Sequence, residues 1–276
     1  MMRKTNNKLK IVVYILLILY CLLTLGPFIW SILTSFKTSR EIASGLTLFP
    51  HEWSLEGYRT IFESQFPTWI RNSLMVGIAV TLLNLVFNTM AGYALARIHF
   101  KGRNIIFNAF LFLIMVPSQV TMIPLYIVIS NLGLVDTHYS LIFTTMINIT
   151  YIFMMRQFFI NFPKDVEEAA AIDGLSKFGT FFRIVLPNMK ASIATQAVFV
   201  FMGIWNEFMK PLLFISSTDK YMLTQGLNAI SKQYMNATKW DVVMAGAIIS
   251  VIPILIIYIV LNKYFLRSSN QTAGIK

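Results

Sequence analysis

Six long apolar runs decide what this chain can fold into. They cover Ile11 to about Leu33, Trp69 to Ala96, Ile105 to Ile129, Tyr139 to Phe159, Ala191 to Ile215 and Val242 to Tyr264. A helix needs roughly 20 apolar residues to cross a bilayer, so each run is long enough. Between them lies too little charge to coat a soluble globule, since 13% of residues are charged and 56% are hydrophobic. That balance argues against a soluble enzyme and a disordered tail. A single cysteine, Cys21, excludes an internal disulfide framework and a multi-cysteine metal site.

The net charge of +11 is of the kind that points to nucleic acid in a soluble domain. Here it reads as topology, because Lys and Arg collect on cytoplasmic loops. With the N-terminus inside, the N-tail carries four basic residues, the Arg97–Arg103 loop three, the Arg156–Lys190 region five and the C-tail three. These 15 face six on the outer loops, Lys37, Arg40, Arg59, Lys220, Lys232 and Lys239. The expectation is an all-α membrane protein with six transmembrane helices and both termini cytoplasmic. Its parts are an N-tail over 1–10, a first transmembrane helix over 11–33 and an extracytoplasmic loop over 34–68. A core over 69–264 and a tail over 265–276 complete it. The first run is too long for a signal-peptide core and lacks a small-residue cleavage site. Pro27 is expected to bend or end it, and Pro117 and Pro124 invite breaks in the third run.

The inner loop over 161–190 is more patterned than a connector requires. Asp165 can cap a helix and Glu168, three residues on, can complete a capping box. Ala169, Ala170 and Ala171 favour helix with little bulk, and Gly174 can end it with positive φ. Ser176 can cap a second helix ending near Pro187. A short alanine-faced helix suits insertion into a groove on another protein. Lipid-surface helices are usually basic on their polar face, whereas Asp165–Asp173 is acidic.

These residues carry a resemblance. Glu168-Ala169-Ala170-Ala171-Ile172-Asp173-Gly174, followed by Ile184, Leu186 and Pro187, resembles the EAA loop of membrane subunits of binding-protein-dependent ABC importers. Asn72-Ser73-Leu74, Ala91 to Arg97, Ile123-Pro124-Leu125-Tyr126 and Leu132-Gly133-Leu134 are similar to the same family. Trp205-Asn206-Glu207-Phe208 with Pro211-Leu212, and Thr272 to Lys276, resemble its carbohydrate branch, the smaller permease of maltose-type and multiple-sugar importers. The resemblance covers about residues 10–276. It implies a type I importer permease fold, with a cytoplasmic coupling helix between helices 4 and 5. Glu167, Glu168, Ala169, Ala170, Asp173, Gly174 and Pro187 would then serve coupling to the ATPase. The implied partners are a second homologous permease, two copies of a cytoplasmic ATPase, an extracytoplasmic sugar-binding protein and membrane lipid, with no nucleic acid. ATP and Mg would be bound by the partner ATPase, with no cofactor on this chain, in a bacterial inner membrane. The chain itself carries no G-x-x-x-x-G-K-[ST] loop, so it is expected not to be an enzyme.

Polar residues inside apolar runs are candidates for a solute path: Asn84, Gln119, Asn148, Asn206 and Glu207. Glu207 is the one acid well inside a run, where an ionisable group suggests function, but Lys210 at helical spacing offers a structural partner. Asn88 and Gln196 are further amides of this kind, and helix–helix hydrogen bonding explains such groups equally well. His51, His99 and His138 show no ligand spacing. Two other readings stay open: a permease for another solute such as a glycerol phosphate ester, and an ion-coupled secondary transporter. No clear internal repeat supports the second. The particular solute is not encoded in any motif.

Overall fold

A computed structural model describes the backbone of residues 7–45, 47–235 and 239–273, and side-chain surroundings over 10–45, 47–233 and 239–260. Arg3 and Lys4 of the N-tail, and Gly274-Ile275-Lys276 of the expected tail motif, lie outside the described residues. In hydrocarbon a backbone must satisfy its own hydrogen bonds, and a helix does so within one segment. Accordingly, the regular structure among the described residues is helical. In chain order it comprises α1 (Asn7–Ser35), α2 (Ser39–Ser44), α3 (Glu56–Glu63) and α4 (Phe66–Arg97). Next come α5 (Arg103–Ile114), α6 (Ser118–Asn131), α7 (His138–Thr145), α8 (Ile149–Ile160) and α9 (Lys164–Ile172). Then follow α10 (Lys177–Thr180), a π-helical turn (Phe181–Val185), α11 (Leu186–Asn188), α12 (Lys190–Trp205), α13 (Met209–Phe214), α14 (Leu223–Met235) and α15 (Trp240–Ala273).

Three stretches are long and apolar enough to cross a membrane as continuous helices: Lys10–Ser35, Phe66–Arg97 and Trp240–Val260. Counting each bent pair as one span raises the number to as many as five, the pairs being α5 with α6 at 103° and Lys177–Asn188 with α12 at 80°. The breaks have local causes. Pro117 stands in an extended conformation (φ −59°, ψ 131°) between α5 and α6. Pro27, Pro124 and Pro253 do not end their helices. The fourth apolar run divides because Asn148 is extended and its side chain accepts from Thr150 N, starting α8 afresh. The sixth helix continues to Ala273, past the expected end near Tyr264.

The described residues form two compact units. One comprises residues up to Pro67 and Leu227–Val251. Within it α1 is anchored by its last turn, where Ser35 Oγ bonds Tyr58 Oη (2.8 Å), while none of its membrane-length window is buried. Such an apolar surface is stable only against lipid or another protein. Beyond α1, Phe36 packs on Trp53 and Tyr58 at ring separations of 5.7 and 5.2 Å. Glu41 accepts from Thr47 Oγ1 (2.8 Å) and His51 N (3.1 Å), closing the following turn. Burial raises its pKa, but those bonds and the His51 ring outweigh burial and hold it at about 2.

The second unit comprises Thr68–Gly226 and the chain from Ile252. Two clusters of its core centre on Val76, Val80, Leu141, Ile204 and Phe214, and on Tyr93, Met155, Phe159, Phe181 and Val185. Small residues let membrane helices approach closely. At Gly92 an added Cβ would lie 2.8 Å from Met155 Cβ and 3.0 Å from Arg156 N. Gly92→Val should therefore part α4 from α8 and cost about 1–3 kcal/mol. A lowered melting temperature in detergent is the expected result.

At one end of this unit the 216–223 segment is clasped from several sides. Trp69 Nε1 donates to Thr218 O (2.7 Å), Asn72 Nδ2 to Asp219 O (2.9 Å), and Leu223 N to Ser73 Oγ (2.7 Å). Asp136, at φ +58°, accepts from Ser216 N, Ser217 N, Ser217 Oγ and Lys220 Nζ. The Ser217 hydroxyl and amide and the Lys220 ammonium hold its carboxyl well below the usual carboxylate range, against an opposing effect of burial. A pKa depressed by folding stabilises the fold above the unfolded value near ~4 and loses that contribution as pH falls through the folded value. Asp136→Asn should thus lower the melting temperature at neutral pH and flatten its decline in acid, measured by thermal unfolding between pH 7 and 3.

Candidate functional site

The helix expected in the inner loop is present as α9, and both of its ends are built by sequence. Its C-terminus is a full Schellman closure: Leu175 N donates to Ala170 O (3.0 Å) and Gly174 N to Ala171 O (3.1 Å), with Gly174 at φ +82°. Ser176 then caps α10 by accepting from Gly179 N (3.1 Å). The N-terminus differs from expectation. Asp165 and Glu168 make no capping box, because α9 already begins at Lys164 behind Pro163, whose fixed φ of −59° suits the entry to a helix. Asp165 instead lies in the first turn, where its charge favours the helix dipole.

Glu168, Ala169, Asp173 and Gly174 are exposed, as is Pro187 on α11. Ile172, beside them, is 87% exposed. Glu167 and Ala170 are not on that face. Ala170 is buried, and Glu167 turns towards α4. There Glu167 Oε1 lies 3.0 Å from Arg97 Nε, with the two side chains only 12% and 8% exposed. The contact is too bent for a hydrogen bond, so its attraction is that of charge. Tyr93 Oη donates to Glu167 Oε2 (3.1 Å), and Arg97 also donates to Phe162 O. Tyr93 sits against Phe159 and Phe181. A cation, a phenol and an aromatic cluster thus seat α9, leaving its acidic, small-residue face outward.

A second feature lies among α4, α7, α8, α12 and α13. It is a cavity of about 130 Å³ whose lining includes Asn84, Asn148, Tyr151, Glu207 and Lys210. Three of the five candidate path residues, Asn84, Asn148 and Glu207, meet here. Gln119 and Asn206 do not; both are exposed, and Asn206 bonds back to Met202 O (2.8 Å). Glu207 Oε1 accepts from Met209 N (3.0 Å) and Lys210 N (3.3 Å), so it caps α13. Lys210 Nζ points instead to Thr144 O (3.3 Å). Behind Asn84 runs a buried amide chain: Gln196 Nε2 donates to Asn84 Oδ1 (3.2 Å), and Thr89 Oγ1 to Gln196 Oε1 (2.9 Å). Gln196 therefore takes the helix-packing role. Sequence reading missed Tyr151 and gave Lys210 only as a partner for Glu207. Their spacing of three from Asn148 and Glu207 was the available signal. Among the described residues no group of three His, Cys, Asp or Glu is placed to hold a metal.

Known proteins place this architecture. An arabinooligosaccharide transport system permease protein of Halalkalibacterium halodurans is 34% identical, covering 96% of both chains. A diacetylchitobiose uptake system permease protein of Streptomyces coelicolor is 30% identical over 97% of this chain and 89% of its own. A chain of a bacterial ABC transporter that imports the acidic polysaccharide alginate shares the fold at a TM-score of 0.85 and 22% identity, covering 96% of this chain and 99% of that one. The model of the binding-protein-dependent transport system inner membrane components matches residues 88–270, which include α9 and the cavity-lining Asn148, Tyr151, Glu207 and Lys210. By that match and by full-length relatives at 30–34% identity, the chain belongs to this family of inner membrane transport components.

Proposed function

We propose that this chain is one of two permease subunits of an importer that takes up a sugar or oligosaccharide handed over by an extracytoplasmic binding protein. ATP hydrolysis on two separate cytoplasmic ATPase subunits drives it, with ATP and Mg bound there. In this reading six membrane segments, some broken, carry both termini inside, the core extends over 69–264, and α9 in the 161–190 loop is the coupling helix. The observation that carries the reading is α9 itself, firmly seated on α4 yet presenting Glu168, Ala169 and Asp173 outward. The kinship to permeases named for arabinooligosaccharide and diacetylchitobiose uptake supports a sugar cargo. The polar cavity bearing Asn84, Asn148, Tyr151, Glu207 and Lys210 is the place on this chain that suits hydroxyl groups, which need amide and hydroxyl partners when water is excluded.

The test is reconstitution. Purified from its own cells, the tagged chain should bring down an ATPase and a second permease. In proteoliposomes the complex with its binding protein should accumulate a labelled oligosaccharide only with ATP. Solute uptake by the lone chain under an ion gradient would overturn the reading in favour of a secondary transporter.

A further inference from the structure

At the end of α4 a cleft of about 370 Å³ opens towards α9 and α10, lined by Arg97, His99, Arg103, Lys164, Glu167 and Lys177, with Glu168 at its side. Arg97 and Glu167 neutralise each other. Arg103, Lys164 and Lys177 then face Glu168 alone, an excess of two positive charges before His99 gains a proton. Among the described residues none of the three cations has an ion-pair partner. Among the described residues the Arg103 guanidinium donates only to Ile98 O, at 3.5 Å. Like charges gathered without counter-charge repel, and a bound anion relieves them.

The cleft does not stop at the charges. A second cavity of about 240 Å³ shares His99 and Arg103 with it and is walled by Phe100 and Ile105. Ile105 is 75% exposed, and it lies in the first turn of the apolar helix α5. A free anion would use only the charged half, whereas an amphiphile uses both. We infer that this cleft is a headgroup site for an anionic phospholipid of the inner leaflet. Its phosphate lies among Arg103, Lys164 and Lys177, and its acyl chains run along Phe100 and Ile105. Basic pockets at the cytoplasmic face are suited to such headgroups. Lys164 opens α9 and Lys177 opens α10, so the bound headgroup ties the inner loop to the membrane. The charged cleft and its apolar wall stand on this chain's geometry; their placement at the inner leaflet and the effect on coupling rest on the function proposed above.

The test uses the whole transporter complex, delipidated and given phosphatidylglycerol or phosphatidylcholine, with retained lipid counted by native mass spectrometry. The wild type should retain phosphatidylglycerol selectively. Arg103→Gln, Lys164→Gln and Lys177→Gln should each weaken that retention about fivefold, and the triple variant should abolish the selectivity. Lys101→Gln, a neighbouring cation outside both cavities, should leave it intact. Equal retention of the two lipids, no loss in the single and triple variants, or the same loss in Lys101→Gln would overturn the site. So would full displacement of the lipid by millimolar inorganic phosphate, or a Lys164 cross-link to the ATPase in a complex that retains no lipid. Uptake driven by ATP is measured separately, so a failed lipid site and a failed transport reading are told apart.

Discussion

Glu168→Lys should abolish ATP-driven uptake while leaving the protein inserted in the membrane. Glu168 is exposed on α9 and has no ion pair within 4 Å in this chain among the described residues, so reversing its charge breaks no internal bond, although it adds to the positive excess of the cleft that Glu168 borders. What changes is the face offered to a partner. In the proposed assembly that face meets the ATPase, and an acid there is matched by basic or polar groups. Truncating one member of an interfacial charge pair costs about 2–5 kcal/mol, roughly 30-fold or more, and reversal adds repulsion. The expected pattern is normal expression and melting temperature, uptake reduced at least 30-fold, and ATP hydrolysis no longer stimulated by loaded binding protein. Normal uptake together with normal ATPase association would remove Glu168 from the coupling role.

What the sequence made legible was local. The Gly174 turn, the Ser176 cap and the break at Pro117 each depend on one residue's conformational limits or hydrogen-bonding capacity, so they could be read in one dimension. What it hid was orientation. Glu167 and Glu168 are adjacent acids on a nine-residue helix, and nothing in their spacing says which faces Arg97. That depends on how α4 lies beside α9, a contact between residues 70 apart in the chain. The same limit separates Asn84 from Gln119: both are amides in apolar runs, yet one lines a cavity and the other is exposed. Asn72 and Ser73, noticed only as part of a family pattern, acquire a physical reason in the clasp they form on the 219–223 segment. The broken fourth and fifth runs were hidden because hydropathy averages over Asn148 and Asn206, where the backbone departs from the helix.

The seat of α9 yields the second large effect. Arg97→Glu and Glu167→Arg should each unseat the helix, because each leaves a like-charged pair where two nearly buried groups attract. Losing one partner of a buried pair costs about 3–5 kcal/mol. The damage is directional. Tyr93 Oη loses its acceptor when Glu167 becomes Arg, and the carbonyl of Phe162 loses its donor when Arg97 becomes Glu. The double exchange restores opposite charge but neither hydrogen bond, so it should recover part of the stability and part of the uptake. Unlike Glu168→Lys, each single exchange should lower the melting temperature of the complex as well as uptake. A double-mutant cycle measured on both quantities separates the two roles. Coupling between positions 97 and 167 should be large in the melting temperature, and coupling between 97 and 168 close to zero. If the 97–167 term vanishes, the ion pair does not seat the helix. Transmission from α9 to α4 would then have to run through the hydrogen bond from Tyr93 Oη to Glu167 Oε2.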